Sequence, residues 1–288
     1  MMSVAKILTM LDGDSHDAVD LEACRLLTGK FGCHVDLLHV RNQHDYPRTY
    51  YGEGVSDEIY KQLQTSFKSR EETITDNCRS LFDEWCRSND ISAAARPSGE
   101  EGPTARFLDE SGDLKRTVAR YGRLADLVVL KSPSLEDGWL SPAGGAAIYS
   151  TGRPVLFSPK QKLFSLGDKI SMFWNDTVES TRAATVAMPF MQRAASVEIV
   201  TIDQEHLDQN KIEDFAEYLG WHGVDATFRL VPLKHRTTGE ALIDAAWEYE
   251  ADLIVMGAYG HSRLREMMLG GVTRHILKVA GRPVMMMH

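Results

Sequence analysis

The sequence predicts an α/β protein of two tandem, open, parallel five-stranded domains. Three observations carry this. Short apolar runs alternate with helical periodicity along the whole chain. The pattern starts again near residue 168. It also repeats in letters: Ala125-Asp126-Leu127-Val128-Val129 answers Ala251-Asp252-Leu253-Ile254-Val255, and Gly152-Arg153-Pro154-Val155 answers Gly281-Arg282-Pro283-Val284. A βα unit of about 140 residues is therefore present twice, with right-handed crossovers between its parallel strands. The expected domains are residues 1–160 and 168–288, joined by a polar linker from Ser158 to Asp168.

In the first copy, Lys6 to Leu11 is an apolar run that stops at the turn signal Asp12-Gly13-Asp14. Val19, Ala23, Leu26 and Leu27 then share a helical face, ended by Gly32, and His34 to Val40 reads as a second strand. Residues 41–55 read as a loop. Ser56 is a candidate N-cap with Asp57 and Glu58 in the first turn. Ile59, Leu63, Phe67, Ile74, Cys78, Leu81 and Trp85 keep helical spacing to about Ser88. That helix is longer than one sheet face needs, so its outer turns are expected to meet a partner or the other domain. A short strand is expected from Ile91 to Arg96, a helix from Gly112 to Tyr121, and a strand apolar on both faces from Ala125 to Leu130. Asp109, Glu110 and Asp113 read as a solvated helix entry. A short helix, Ala143 to Ser150, and a strand over Gly152 to Phe157, expected at a sheet edge, close the copy.

The second copy opens with Lys169 to Trp174, ending at Asn175-Asp176-Thr177. A helix bearing Ala183, Ala184, Val186 and Ala187 follows, disturbed near Pro189. Next come a strand over Ser196 to Ile202, a short helix marked by Ile212, Phe215, Ala216 and Leu219, and a strand over Ala226 to Val231. Thr237 and Glu240 form a capping box for a helix with Leu242, Ile243 and Trp247 on its inner face. The strand Ala251 to Met256, the helix Val272 to Val279 and a last apolar run complete it.

Hydrophobic residues make up 43% of the chain and charged residues 25%, ordinary globular values that give each half a sizeable core. The net charge of −9 disfavours a nucleic-acid partner. No apolar run approaches the ~20 residues of a membrane span, and the N-terminus lacks the pattern of a signal peptide, so no membrane partner and a cytoplasmic location are expected. Cys24, Cys33, Cys78 and Cys86 form no C-x-x-C pair and read as reduced core thiols. His34, His39 and His44 span a strand and a loop without sharing a face, so no metal site is expected. Ser141 and Ser262 have no evident histidine partner, and no catalytic residue is assigned.

The chemistry concentrates after Met256. Gly257, two residues, Gly260, nine residues, then Gly270-Gly271 lie between a buried strand and a helix beginning at Val272. Glycines there let backbone approach a ligand closely, and free N–H groups at the helix start suit a phosphate. His261, Arg263 and Arg265 add positive charge in the spacer. The spacing is neither a P-loop nor the dinucleotide pattern.

The stretch resembles the nucleotide-binding signature of the universal stress protein family, Gly-x2-Gly-x9-Gly-Ser/Thr, and both halves resemble that family from end to end. The resemblance implies two domains of adenine nucleotide alpha hydrolase-like fold packed as an internal pseudo-dimer. It implies that Met256, Gly257, Gly260, His261, Gly270, Gly271 and Val272 face the ribose and phosphates of ATP, with Mg as an accompanying ion. It places Asn175 and the backbone of Ile202 at the adenine. Two positions depart from the family. Gly271 stands where a hydroxyl is usual, and Asn175 replaces an aspartate. The first half keeps Asp12-Gly13-Asp14 but lacks the glycine spacing, since Lys131, Ser132 and Pro133 follow its strand.

Three functions stay open on this reading. The first is a stress-response regulatory protein binding ATP or a related adenine nucleotide in the second domain. The second is a slow ATPase or phosphotransfer enzyme, with Asp176 and Asp203 as carboxylates. The third is a nucleotide-free interaction scaffold with a protein partner or a second copy as a homodimer.

Overall fold

The computed structural model describes residues 3–41, 56–96, 102–133, 140–203, 209–258 and 271–288. The first half runs β1 (Lys6–Met10), α1 (Asp17–Phe31), β2 (His34–Arg41), α2 (Asp57–Ser88), β3 (Ser92–Ala93), β4 (Thr104–Ser111), α3 (Leu114–Gly122), β5 (Leu127–Lys131), α4 (Pro142–Ser150) and β6 (Val155–Ser158). The second runs β7 (Lys169–Phe173), α5 (Val178–Met191), β8 (Ser196–Ile202), α6 (Gln209–Trp221), β9 (Ala226–Val231), α7 (Thr238–Glu248), β10 (Leu253–Gly257), α8 (Gly271–Val279) and β11 (Val284–Met287).

All strands join one sheet in the order β3-β4-β2-β1-β5-β6-β11-β10-β7-β8-β9. Around β1 the order is β4-β2-β1-β5-β6; around β7 it is β9-β8-β7-β10-β11. The two halves thus share one doubly wound topology, with its switch point beside the first strand. Neighbouring strands are parallel within each half. The exception is the seam, where β6 and β11 pair antiparallel as Val155↔Met286, Leu156↔Met285 and Phe157↔Val284. That register is symmetric about Leu156 and Met285. The last strand of each half is at the edge of its own half, as its sequence suggests, and each edge is closed by the other. Both apolar layers continue across the seam: Leu156 and Met285 lie in one, Val155, Phe157, Val284 and Met286 in the other.

The repeated letters have repeated jobs. Asp126 Oδ2 accepts the backbone N–H groups of Ala5 and Lys6 at 2.9 and 3.0 Å. Its counterpart Asp252 accepts those of Gly167, Asp168 and Lys169 at 2.9, 2.9 and 3.0 Å. Each carboxylate clamps the entry of the first strand of its half. Gly152 and Gly281 take left-handed φ of 66° and 58°. The following prolines then present their carbonyls to Val128 and Ile254 at 3.0 and 2.9 Å. A side chain with a Cβ is disfavoured at either glycine.

Most helix limits follow the sequence. Ser56 Oγ caps α2 by accepting from Ile59 N at 3.3 Å. Thr177 with Ser180, and Thr237 with Glu240, form capping boxes for α5 and α7. Gly32 ends α1 at φ 63°. Helix α2 buries Thr75, Cys78, Phe82, Trp85 and Cys86, all in its second half, and its outer turns stay largely exposed. The four cysteines are buried and free.

Three expectations change. The strand expected over Ile91 to Arg96 shrinks to two residues, and the principal outer strand is β4, which reads poorly because it alternates weakly. Asp109 and Glu110 sit on that strand rather than at a helix entry: Asp109 pairs with Arg41 at 2.8 Å and Glu110 accepts from the Tyr121 hydroxyl. Asp113 is the N-cap of α3, accepting from Arg116 N at 2.8 Å. Pro189 lies in the last turn of α5, which runs to Met191. Trp247, expected inside, is 49% exposed.

Candidate functional site

Because β7, β8 and β10 are parallel neighbours, their C-terminal ends emerge together. At that end stand Asn175 after β7, Ile202 as the last residue of β8, and Met256 and Gly257 closing β10. Strand β11 is parallel to β10, so the intervening α8 runs back and starts at this same end, with Gly271 and Val272 in its first turn. Gly260, His261 and Gly270 lie outside the described residues. Of the nine site residues expected from the sequence, the six described ones, Asn175, Ile202, Met256, Gly257, Gly271 and Val272, occupy one end of one half-sheet.

The two described glycines of the stretch are there for different physical reasons. A Cβ on Gly257 would lie 2.6 Å from the carbonyl carbon of Glu179 and 2.7 Å from the amide nitrogen of Ser180. The end of β10 therefore touches the first turn of α5 backbone to backbone, which only glycine permits. Among the described residues, a Cβ on Gly271 would meet no heavy atom within 4 Å. No described neighbour requires glycine there.

Asn175 is exposed, and its Oδ1 accepts the Thr177 hydroxyl at 2.9 Å, which orients the amide. The next residue, Asp176, has φ 53° and pairs with Lys211 Nζ at 2.5 Å. Behind them Trp174 stacks on Phe215 with centroids 3.7 Å apart and planes 5° from parallel, a rigid floor for the turn. The carbonyl of Trp174 accepts the Thr201 hydroxyl at 3.0 Å, tying the ends of β7 and β8 together. Asp203, the other carboxylate considered from the sequence, is exposed just after β8, its N–H bonded to Val231 O at 2.9 Å. Among the described residues no three His, Cys, Asp or Glu side chains converge as a metal site. His34 bonds to Thr104 and Asp36, and His39 to Leu11 O and Thr75; His44 lies outside the described residues.

The same end of the first half is built otherwise. The strand pairings Thr9↔Val129 and Met256↔Phe173 put Lys131 where the second half has Gly257. Its ammonium meets Asp12 at 2.9 Å and Asp14 at 2.5 Å. Burial works against the charge on Lys131, but these carboxylates outweigh it and raise its pKa. Asp17 turns back to accept the N–H groups of Asp12 and Gly13 at 3.1 and 2.8 Å. Burial pushes Asp17 up to about 6 and Asp20, which accepts from Ser158, up to about 7. Gly13 takes φ 75°, and a Cβ on it would lie 2.9 Å from Ile74 Cγ2 of α2. This end carries its own cation and an excess of carboxylates, a poor field for a polyphosphate. Lys131 is the residue that sequence reasoning underused; the strand alignment with Gly257 was the signal that could have found its role.

Among the described residues no helix is long and apolar enough to cross a membrane. The model of the universal stress protein family matches residues 179–288. Among solved structures, a universal stress protein from Archaeoglobus fulgidus DSM 4304 superposes with a TM-score of 0.69 at 13% identity, covering 99% of this chain and 99% of that one. A putative universal stress protein from Pseudomonas aeruginosa UCBPP-PA14 gives 0.57 at 13% identity, covering 99% of this chain and 93% of its own. No curated protein matches the sequence. Residues 179–288 of this chain match the model of the universal stress protein family, and the whole chain has the fold of universal stress proteins of known structure.

Proposed function

We propose that the chain is a stress-response regulatory protein that binds ATP or a related adenine nucleotide at one site, in its second half. The observation that supports this most is the convergence of the ends of β7, β8 and β10 with the start of α8, at the end of the sheet where open α/β folds take ligands. The family match covers this whole glycine stretch. In this reading Asn175 and the backbone of Ile202 meet the adenine. Met256, Gly257, Gly260, His261, Gly270, Gly271 and Val272 surround the ribose and phosphates. The α8 N-terminus supplies unpaired N–H groups and the positive end of its dipole. The amide of Asn175 accepts from the adenine amino group in place of a carboxylate. Exposed Asp203 is the carboxylate available to a Mg ion carried in on the phosphates, since Asp176 is engaged by Lys211.

The reading treats residues 1–160 and 168–288 as two units packed as an internal pseudo-dimer. The symmetric register of β6 on β11 supports it. The first unit, with Lys131 held by Asp12 and Asp14, takes no nucleotide and serves as the structural partner of the second.

Calorimetric titration with ATP tests this. One site per chain is expected, with binding abolished by Gly270→Trp. Gly271→Ser places a hydroxyl in open space at the α8 N-terminus and is expected to tighten binding about 3–10-fold, the worth of one added hydrogen bond. No saturable heat at millimolar ATP, or binding indifferent to both changes, overturns the proposal.

A further inference from the structure

A second concavity lies at the opposite end of the strands. The segment between the halves, residues 161–165, crosses the end of α7 and the turn from α8 into β11, leaving a groove of about 390 Å³. Asp252 and Pro283, which precede β10 and β11, are at its base, so it is a strand length away from Gly257.

Four side chains give it chemical character. Trp247 is 49% exposed although its helix position faces inward, and its indole N–H donates to Ala280 O at 2.9 Å, which fixes the ring as a wall. Phe164 is 84% exposed, with the Lys162 ammonium 5.7 Å from its ring centroid. Arg282 is partly buried and makes no hydrogen bond or ion pair with any described residue. The nearby carboxylates make their direct bonds elsewhere: Asp252 accepts three backbone N–H groups, and Glu250 pairs with Lys169 at 2.8 Å while feeling the Arg282 charge from farther off.

We propose that this groove binds a small planar aromatic acid of one or two rings, its ring against Trp247 and Phe164 and its carboxylate on Arg282, with Lys162 at the rim. Glu250 acts on Arg282 only at longer range, so the guanidinium's hydrogen-bonding fork is open, and a planar carboxylate matches it. The volume falls in the range of small-molecule pockets and is too small for a folded partner. A polyphosphate is a poor occupant, because α8 presents its carbonyl end here and not its N–H end.

Titration calorimetry of the full chain with indole-3-acetate tests the assignment. Saturable binding at one site is expected, with a dissociation constant of roughly 0.1–1 mM for so small a ligand. Arg282→Gln is expected to weaken it at least about tenfold, as is replacing the probe by neutral indole-3-ethanol. Phe164→Ala removes an exposed ring and is expected to weaken binding about threefold while leaving the melting temperature unchanged. ATP binding should be untouched by Arg282→Gln, so the two sites succeed or fail separately. No saturable binding, equal affinity for the neutral analogue, or affinity unchanged by both substitutions overturns the proposal.

Discussion

The glycines of the candidate site can be separated by substitution in the ligand-free protein. Gly257→Ala puts a Cβ at 2.6 and 2.7 Å from backbone atoms of Glu179 and Ser180. Ordinary contact needs nearly an ångström more, and the obstacle is backbone, which does not swing aside. The first turn of α5 is further pinned by its capping box between Thr177 and Ser180. Overpacking of this kind costs about 1–3 kcal/mol, reduced by the roughly 0.4–1 kcal/mol that alanine removes from the entropy of the unfolded chain. A net loss of about 1–2 kcal/mol lowers the melting temperature by roughly 2–8 °C for a chain of this size. Gly271→Ala meets nothing within 4 Å and keeps a helical conformation, so the entropy gain stands alone and the melting temperature is expected to hold or rise by about 1–3 °C. Thermal melts followed by far-ultraviolet circular dichroism, without nucleotide, read both. Equal responses refute the reasoning: a neutral Gly257→Ala would deny the close approach, and a damaging Gly271→Ala would deny the open space.

Two further predictions concern the framework. Burial penalises the charge on Asp20 and pushes its pKa up to about 7 in the folded chain, from an ordinary 3.8. Between about pH 4 and 7 the folded state therefore holds a proton that the unfolded state has released, and stability falls as pH rises through that window, by at most about 4 kcal/mol. Asp20→Asn removes this term, so the variant should gain on the parent from pH 4 to 7 in urea denaturation and keep a constant lead above; a lead independent of pH contradicts the assignment. Asp252→Ala strands the N–H groups of Gly167, Asp168 and Lys169 and is expected to cost about 2–4 kcal/mol, whereas Asp252→Asn retains an accepting oxygen and should lose less than half of that. Chemical denaturation of the two variants side by side decides it.

The parts legible in sequence are those fixed by local chemistry. Apolar runs such as Ala251 to Met256 lie in strands buried on both faces, so periodicity and composition mark them without ambiguity. Ser56 and Thr237 announce helix starts because their oxygens satisfy N–H groups two or three residues on. The fate of β4 was not legible. Arg106, Asp109 and Glu110 look like surface charges, yet each is held by a distant partner, Asp36, Arg41 and Tyr121 respectively. Asp36 in turn gathers Lys6, His34 and Arg106, and these bonds outweigh burial and hold its carboxyl well below the usual range. Such pairings span up to seventy positions and leave no local pattern. Trp247 misled for the opposite reason: its spacing is that of a core residue, but its N–H is drawn to Ala280 O at the end of α8, which holds the ring half in solvent.

The contrast between the halves narrows to one strand position. Gly257 lets the end of β10 lie flat against α5 and puts no side chain there. Lys131, at the matching place, sends a long cation into the equivalent space, where Asp12 and Asp14 close on it. A charge balance makes the consequence concrete. Two carboxylates hold one ammonium, Asp17 stands behind them on the N–H groups of Asp12 and Gly13, and an incoming polyphosphate would have to displace Asp12 and Asp14 from Lys131 while entering a field of like charge. In the second half Asp176, at the same end, is paired with Lys211, and no lysine stands at the position of Gly257. The folded topology is the same in both halves and cannot by itself decide which one binds. In the proposed reading the side chain that ends the fourth long strand of each half does: Lys131 closes the first half to a polyphosphate, and Gly257 leaves the second half as the proposed site.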